Sequence, residues 1–123
     1  MRSWGYFFAV VRPYSQGINF REFVFTSGQL PNDPSTGKFP SEDLKAQTEQ
    51  SLKNVKAVLE SAGSGMDKVI KTTVFLADMA DFAKMNEVYS GFFSEGAYPA
   101  RSAVEVAALP MGAKVEIEVI AHK

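Results

Sequence analysis

The fold class is decided by LKAQTEQSLKNVKAVLESAG, Leu44 to Gly63, and the KVIKTTVFL that follows it at Lys68 to Leu76. In the first stretch Leu44, Thr48, Leu52, Val55, Leu59 and Ala62 recur three or four residues apart, the spacing of one helix stripe. Glu42 and Asp43 lie just ahead, where carboxylates suit the positive end of the helix dipole, and Gly63 is a natural stop. The second stretch is a β-branched run of strand length. One amphipathic helix handing over to one strand within a few residues predicts an α+β layer pair.

Working outward, Asp78 is expected to cap a second helix whose apolar face is Phe82, Met85, Tyr89 and Phe92. Arg101–Ala107 and Lys114–Ala121 read as two further strands, broken by Leu109-Pro110-Met111-Gly112. Upstream, Glu22–Gln29 (EFVFTSGQ) is a strand, and Tyr14–Phe20 supplies its hairpin partner. Pro31 to Gly37 is a dense turn cluster and therefore a loop. The expected order is β-β-α-β-α-β-β, a mixed sheet with two helices on one face. Val115, Ile117 and Val119 form one apolar row of the last strand while Ile120 lies on the other side. The second sheet face therefore needs cover, which predicts a homo-oligomer.

The chain has 123 residues, 46% hydrophobic and 22% charged, which suits one globular domain rather than disorder. Residues 13–123 are read as that domain, with 1–12 as a leader or first strand. Trp4 to Val11 (WGYFFAVV) is only eight residues long and lacks a small-residue cleavage site, so neither a signal peptide nor a membrane span is expected. Cysteine is absent, which removes disulfides, thiolate metal sites and a thiol nucleophile and fits a cytoplasmic address. Net charge is −1 and His122 is the only histidine, so neither nucleic-acid binding nor a histidine-based metal or nuclease site is expected. No nucleotide loop or metal-spaced cluster is visible, and any enzyme here would work without a cofactor or metal.

Glu116 and Glu118 lie two apart on a strand and point to one face. Such a pair is either solvated at a sheet edge or available for acid–base work. Glu116, between Val115 and Ile117, is the more central, and if buried it needs a partner. Arg101, at the start of a strand after Pro99-Ala100, is a candidate partner or a surface ion-pair residue; its planar guanidinium suits bidentate capture of a small carboxylate. Tyr14, Ser27-Gly28 and Asn86 are further candidates: Gly28 permits close backbone approach, and Asn86 borders the second helix's apolar face.

PARSAVEVAALPMGAKVEIEVIA (Pro99–Ala121) resembles the C-terminal signature of the RidA/YjgF family. PYSQG (Pro13–Gly17), FTSGQLPNDPSTG (Phe25–Gly37), QSLKNVKAVLESAG (Gln50–Gly63) and VIKTTVFLADMADFAKMNEVY (Val69–Tyr89) resemble the rest of it in order. The resemblance implies a chorismate-mutase-like fold and a homotrimer with ligand clefts between subunits. It also implies cofactor-independent hydrolysis of reactive 2-enamines and 2-imines, such as 2-aminoacrylate and 2-iminopropionate, to 2-oxo acids and ammonia. By the same resemblance Arg101 grips the substrate carboxylate and Glu116 positions or activates the attacking water. Tyr14, Ser27, Gly28 and Asn86 then line the cleft. Ala103 stands where many members have cysteine, and Arg12 where glycine is usual. The alternative is a non-catalytic trimer that binds small carboxylates as a 2-oxo acid sensor. Relatives have also been described as translation-inhibiting ribonucleases, which neutral charge and the lack of a histidine pair disfavour.

Overall fold

The computed structural model describes residues 14–123. The leader or first-strand reading of residues 1–12, with the place of Arg12, lies outside the described residues. Five strands form one sheet: β1 (Gly17–Phe20), β2 (Phe23–Thr26), β3 (Val69–Leu76), β4 (Ala100–Glu105) and β5 (Val115–His122). Two helices, α1 (Leu44–Ser61) and α2 (Phe82–Ser90), fall between β2 and β3 and between β3 and β4. The sheet order is β1-β2-β5-β3-β4, antiparallel except for the parallel pair β3–β4. The expected element order and mixed sheet are what is found.

Local chemistry explains the boundaries. Asp43 accepts a hydrogen bond from the Ala46 N–H at the start of α1. Gly63, at φ +85°, ends it: its N–H bonds the Glu60 carbonyl while the Ser64 N–H reaches back to Leu59. Asp78 behaves differently from expectation. Its carboxylate caps a 3-10 turn at Met79–Asp81 through the Ala80 N–H, and α2 starts only at Phe82. The strand expected over Glu22–Gln29 is also shorter. It ends at Thr26, whose hydroxyl takes the Val119 N–H, and Gln29 rejoins β5 opposite Ile117, one residue out of the register set by Phe25 and Ile120.

Both helices pack on one sheet face. Leu52, Val55, Leu59, Met85 and Tyr89 meet Val24, Val74, Leu76, Val115, Ile117 and Val119 in a single buried cluster. The helix-free face carries Ile18, Phe20, Phe23, Phe25 and Val104, each 39–59% exposed. The second sheet face is thus apolar and carries no helix.

Helix α1 also buries polar side chains that tie down loops. The Asn54 amide donates to the Leu30 and Asn32 carbonyls at 3.0 and 2.8 Å, and Gln47 receives the Lys114 N–H at 2.9 Å. Replacing Asn54 with leucine removes the donors and strands both carbonyls beneath α1. The expected loss is about 1–3 kcal/mol in chemical denaturation.

Candidate active site

Strand register sorts the candidate residues onto two faces. Thr72 is buried and bonds Tyr89 of α2, so it faces the helices, and Arg101 stands opposite Thr72 in the β3–β4 ladder. Arg101 therefore also points to the helix side. Glu116 pairs with Phe75, three residues further along β3, and alternates with buried Val115 and Ile117; it points to the helix-free side. Within one chain Arg101 is thus not the partner of Glu116, which corrects the simplest reading of the sequence. The sheet itself separates them.

Arg101 sits on β4, at the open edge of the sheet. One guanidinium nitrogen donates to the Asn86 side-chain carbonyl at 2.6 Å. The guanidinium carbon lies 4.7 Å from the Tyr89 ring centroid and 5.3 Å from that of Phe82. Both are within cation–π range, an attraction of about 0.5–2 kcal/mol depending on desolvation. Arg101, Asn86 and Tyr89, with Ser90, Tyr98 and Pro99, line a hollow of about 440 Å³. Ala103, two residues on, packs against the core on the same side.

Glu116 anchors the second group. Tyr14, Ser27, Gly28, Leu30, Pro110, Glu116 and Glu118 line a hollow of about 610 Å³. Ser27 is held by its hydroxyl, which donates to the Ser15 carbonyl at 2.5 Å. Glu116 is half-buried and Glu118 exposed, as strand position suggested. Burial, and then the negative charge of Glu118, push the Glu116 carboxyl above its ordinary pKa. The ion pairs found among the described residues, Lys45–Glu87 and Lys53–Glu49, involve neither Arg101 nor Glu116. Arg101 is thus held by neutral groups, and Glu116 lies without a cation beside it among the described residues.

Gly28 has a definite spatial reason. A Cβ built on it falls 2.6 Å from a Glu116 carboxylate oxygen and 2.8 Å from its carboxyl carbon. The obstacle is the mobile end of a side chain, so Gly28→Ala is expected to move the carboxylate rather than unfold the protein. Misplacement of a reacting group by about an ångström costs on the order of 10²-fold in rate. Steady-state kinetics should show that loss, with a melting temperature unchanged to within a few degrees.

The structure thus gathers Tyr14, Ser27, Gly28 and Glu116 on one side and Asn86 and Arg101 on the other. Sequence reading took Phe82 and Tyr89 only as core and missed them as neighbours of the arginine. Their positions, four before and three after Asn86, were the available signal. Tyr98 lies in the irregular segment before β4 and Pro110 opens a 3-10 turn, where spacing carries no such signal. Among the described residues no group of three or more metal-binding side chains converges, and no helix is long and apolar enough to cross a membrane.

A family model described as endoribonuclease L-PSP matches residues 7–123. A Salmonella typhimurium protein named 2-iminobutanoate/2-iminopropanoate deaminase is 51% identical over 115 residues, covering 92% of this chain and 89% of that protein. The crystal structure of the Escherichia coli YjgF gene product superposes with a TM-score of 0.89 at 49% identity, covering 94% of this chain and 92% of the other. Escherichia coli TdcF, in a structure with bound serine, gives a TM-score of 0.87 at 45% identity, with coverage of 94% and 92%. The sheet order and helix placement are those of this chorismate-mutase-like fold. With a family model matched along nearly its whole length and relatives at about half identity, the chain belongs to the RidA/YjgF family, the one the endoribonuclease L-PSP model describes.

Proposed function

We propose that the chain is a deaminase that hydrolyses 2-enamines and 2-imines to 2-oxo acids and ammonia, in a site shared between subunits of a homotrimer. The observation that carries this reading is Arg101. It is held at the sheet edge by a neutral amide and two rings, with its charge left for an incoming anion. The substrate class is that in the name of the Salmonella relative, and the serine bound by TdcF is a small α-carboxylate of the kind such an arginine would take.

The chemistry asks little of the protein. A 2-imine is electrophilic at the carbon beside its carboxylate. Water adds to that carbon, the nitrogen takes a proton, and the carbinolamine expels ammonia to leave the 2-oxo acid. Arg101 fixes the carboxylate, and Glu116 takes the proton of the attacking water and returns one to the departing nitrogen. Tyr14, Ser27 and Gly28 shape the wall beside Glu116. Asn86 acts through Arg101 in this arrangement. Neither a cofactor nor a metal has a task in these steps, and the cytoplasm is the compartment this reading assigns.

The separation of Arg101 from Glu116 supports the assembly. A second copy laid against the apolar helix-free face and the β4 edge would bring one chain's arginine to the other's glutamate. The reading is tested by 2-oxo acid release from a dehydratase-generated enamine; binding of 2-oxo acids without any acceleration would favour the sensor instead. The shared site has its own test. Arg101→Ala and Glu116→Gln, each inactive alone, should regain about a quarter of wild-type activity when unfolded together and reassembled at equal amounts. That is the share of random interfaces carrying one intact arginine and one intact glutamate. No recovery would place both groups in one chain's site.

A further inference from the structure

Tyr89 is the feature that core packing alone does not explain. It is buried, and its hydroxyl meets Thr72 Oγ1 at 2.8 Å in an otherwise apolar row of Val74 and Leu76. A phenylalanine would fill the same space without needing a polar partner. Thr72 is also the residue directly across the ladder from Arg101. The hydroxyl bond therefore lays the Tyr89 ring across the neighbouring strand, 4.7 Å from the guanidinium carbon. Phe93 also packs against it, with ring centroids 4.8 Å apart. Thr72 and Phe93 thus both hold the ring that meets Arg101.

We infer that Tyr89, locked by Thr72 and Phe93, is a positioning residue: a neutral platform that fixes the Arg101 guanidinium without occupying its N–H donors. The distinction matters because of what an alternative support would do. A carboxylate in that place would hold the arginine as well, but it would consume donors and cancel the charge that the substrate must find. A π face attracts the cation and leaves its in-plane donors free. Asn86 takes one of them, which leaves the remaining edge of the guanidinium for the substrate carboxylate. Burial raises the tyrosine pKa, with the Thr72 bond and the Arg101 charge opposing it, so the platform stays neutral. The inference rests on the deaminase reading for its consequence, though the platform geometry does not.

Four variants test it: Tyr89→Leu and Tyr89→Phe, each alone and combined with Arg101→Ala. Tyr89→Leu should raise KM for a 2-imino acid about tenfold with a smaller change in kcat, and Tyr89→Phe, which keeps the ring but loses the Thr72 bond that sets it, should fall between Tyr89→Leu and wild type. In the Arg101→Ala background Tyr89→Leu should cost nothing further. The Arg101 side-chain N–H resonance, assigned by its disappearance in Arg101→Ala, should lose its ring-induced shift in Tyr89→Leu and keep only part of it in Tyr89→Phe. An unchanged resonance, or the same tenfold penalty with Arg101 absent, would reduce Tyr89 to core filler. If the resonance moves but Arg101→Ala retains full activity, the platform stands and Arg101 leaves the mechanism. If the unsubstituted protein gives no acceleration of 2-oxo acid release, the deaminase assignment falls and the resonance still decides the platform.

Discussion

Arg101→Ala is expected to lower kcat/KM for 2-oxo acid release by about 10³-fold while leaving the fold intact. The size follows from what is removed. Two charge-assisted hydrogen bonds to a carboxylate contribute about 2 kcal/mol each, and about 4 kcal/mol corresponds to roughly three decades. The side chain is only partly buried and lies on the edge strand, so truncation opens space at the surface rather than in the core. Its loss also frees Asn86 and uncovers the Tyr89 ring, groups that water can meet in the open hollow. Arg101→Lys should recover little, because an ammonium cannot form the planar two-point contact. The assay generates the enamine with a dehydratase and compares release with and without the variant. Acceleration equal to wild type would remove Arg101 from the mechanism.

Glu116→Gln is the second large effect, expected at about 10²–10⁴-fold in kcat, the range for loss of a positioned acid–base group. Glutamine keeps the shape and the contact with Gly28 but cannot take a proton from water. The pH dependence carries further information. Glu116 has a folded-state pKa above the ordinary 4.5, first because it is partly buried and then because Glu118 is near. As the carboxylate is the working form, kcat/KM should fall as pH drops through that raised value, earlier than for an ordinary glutamate. Removing the neighbouring charge with Glu118→Gln should move this acidic limb to lower pH.

The stability effect has the opposite sign. A raised folded-state pKa means that the contribution of Glu116 is fully present below about pH 4.5 and lost as pH rises through the folded-state value. At neutral pH Glu116→Gln should therefore melt no lower than wild type. A variant that loses both activity and thermal stability would indicate a structural role for Glu116.

Much of the fold was legible because it depends on local rules. The stripe from Leu44 to Ala62 requires a helix with one buried side, and Gly63 ends it through a left-handed turn that glycine adopts without strain. The alternation Val115, Ile117, Val119 against Glu116, Glu118, Ile120 requires a strand with two unlike faces. The failures were also local in origin. Asp78 was read as the cap of a helix because a capping carboxylate looks the same whether a 3-10 turn or an α-helix follows. The early end of β2 coincides with the Thr26 hydroxyl taking the Val119 N–H, a choice no periodicity records.

By itself, then, the sequence determined the elements, their order, the residue types that could do chemistry, and the surplus of apolar surface on one sheet face. Only the tertiary structure decided which of those residues could meet. Pairing Arg101 with Thr72 and Glu116 with Phe75 sets the register, and in a pleated sheet an offset by one residue exchanges the faces. The arginine was thereby sent to the helix side, onto Tyr89, and the glutamate to the open side, against Gly28. Side-chain alternation is written along a strand, but the register between strands is settled by contacts far apart in the chain, and it is the register that puts Arg101 and Glu116 on opposite faces.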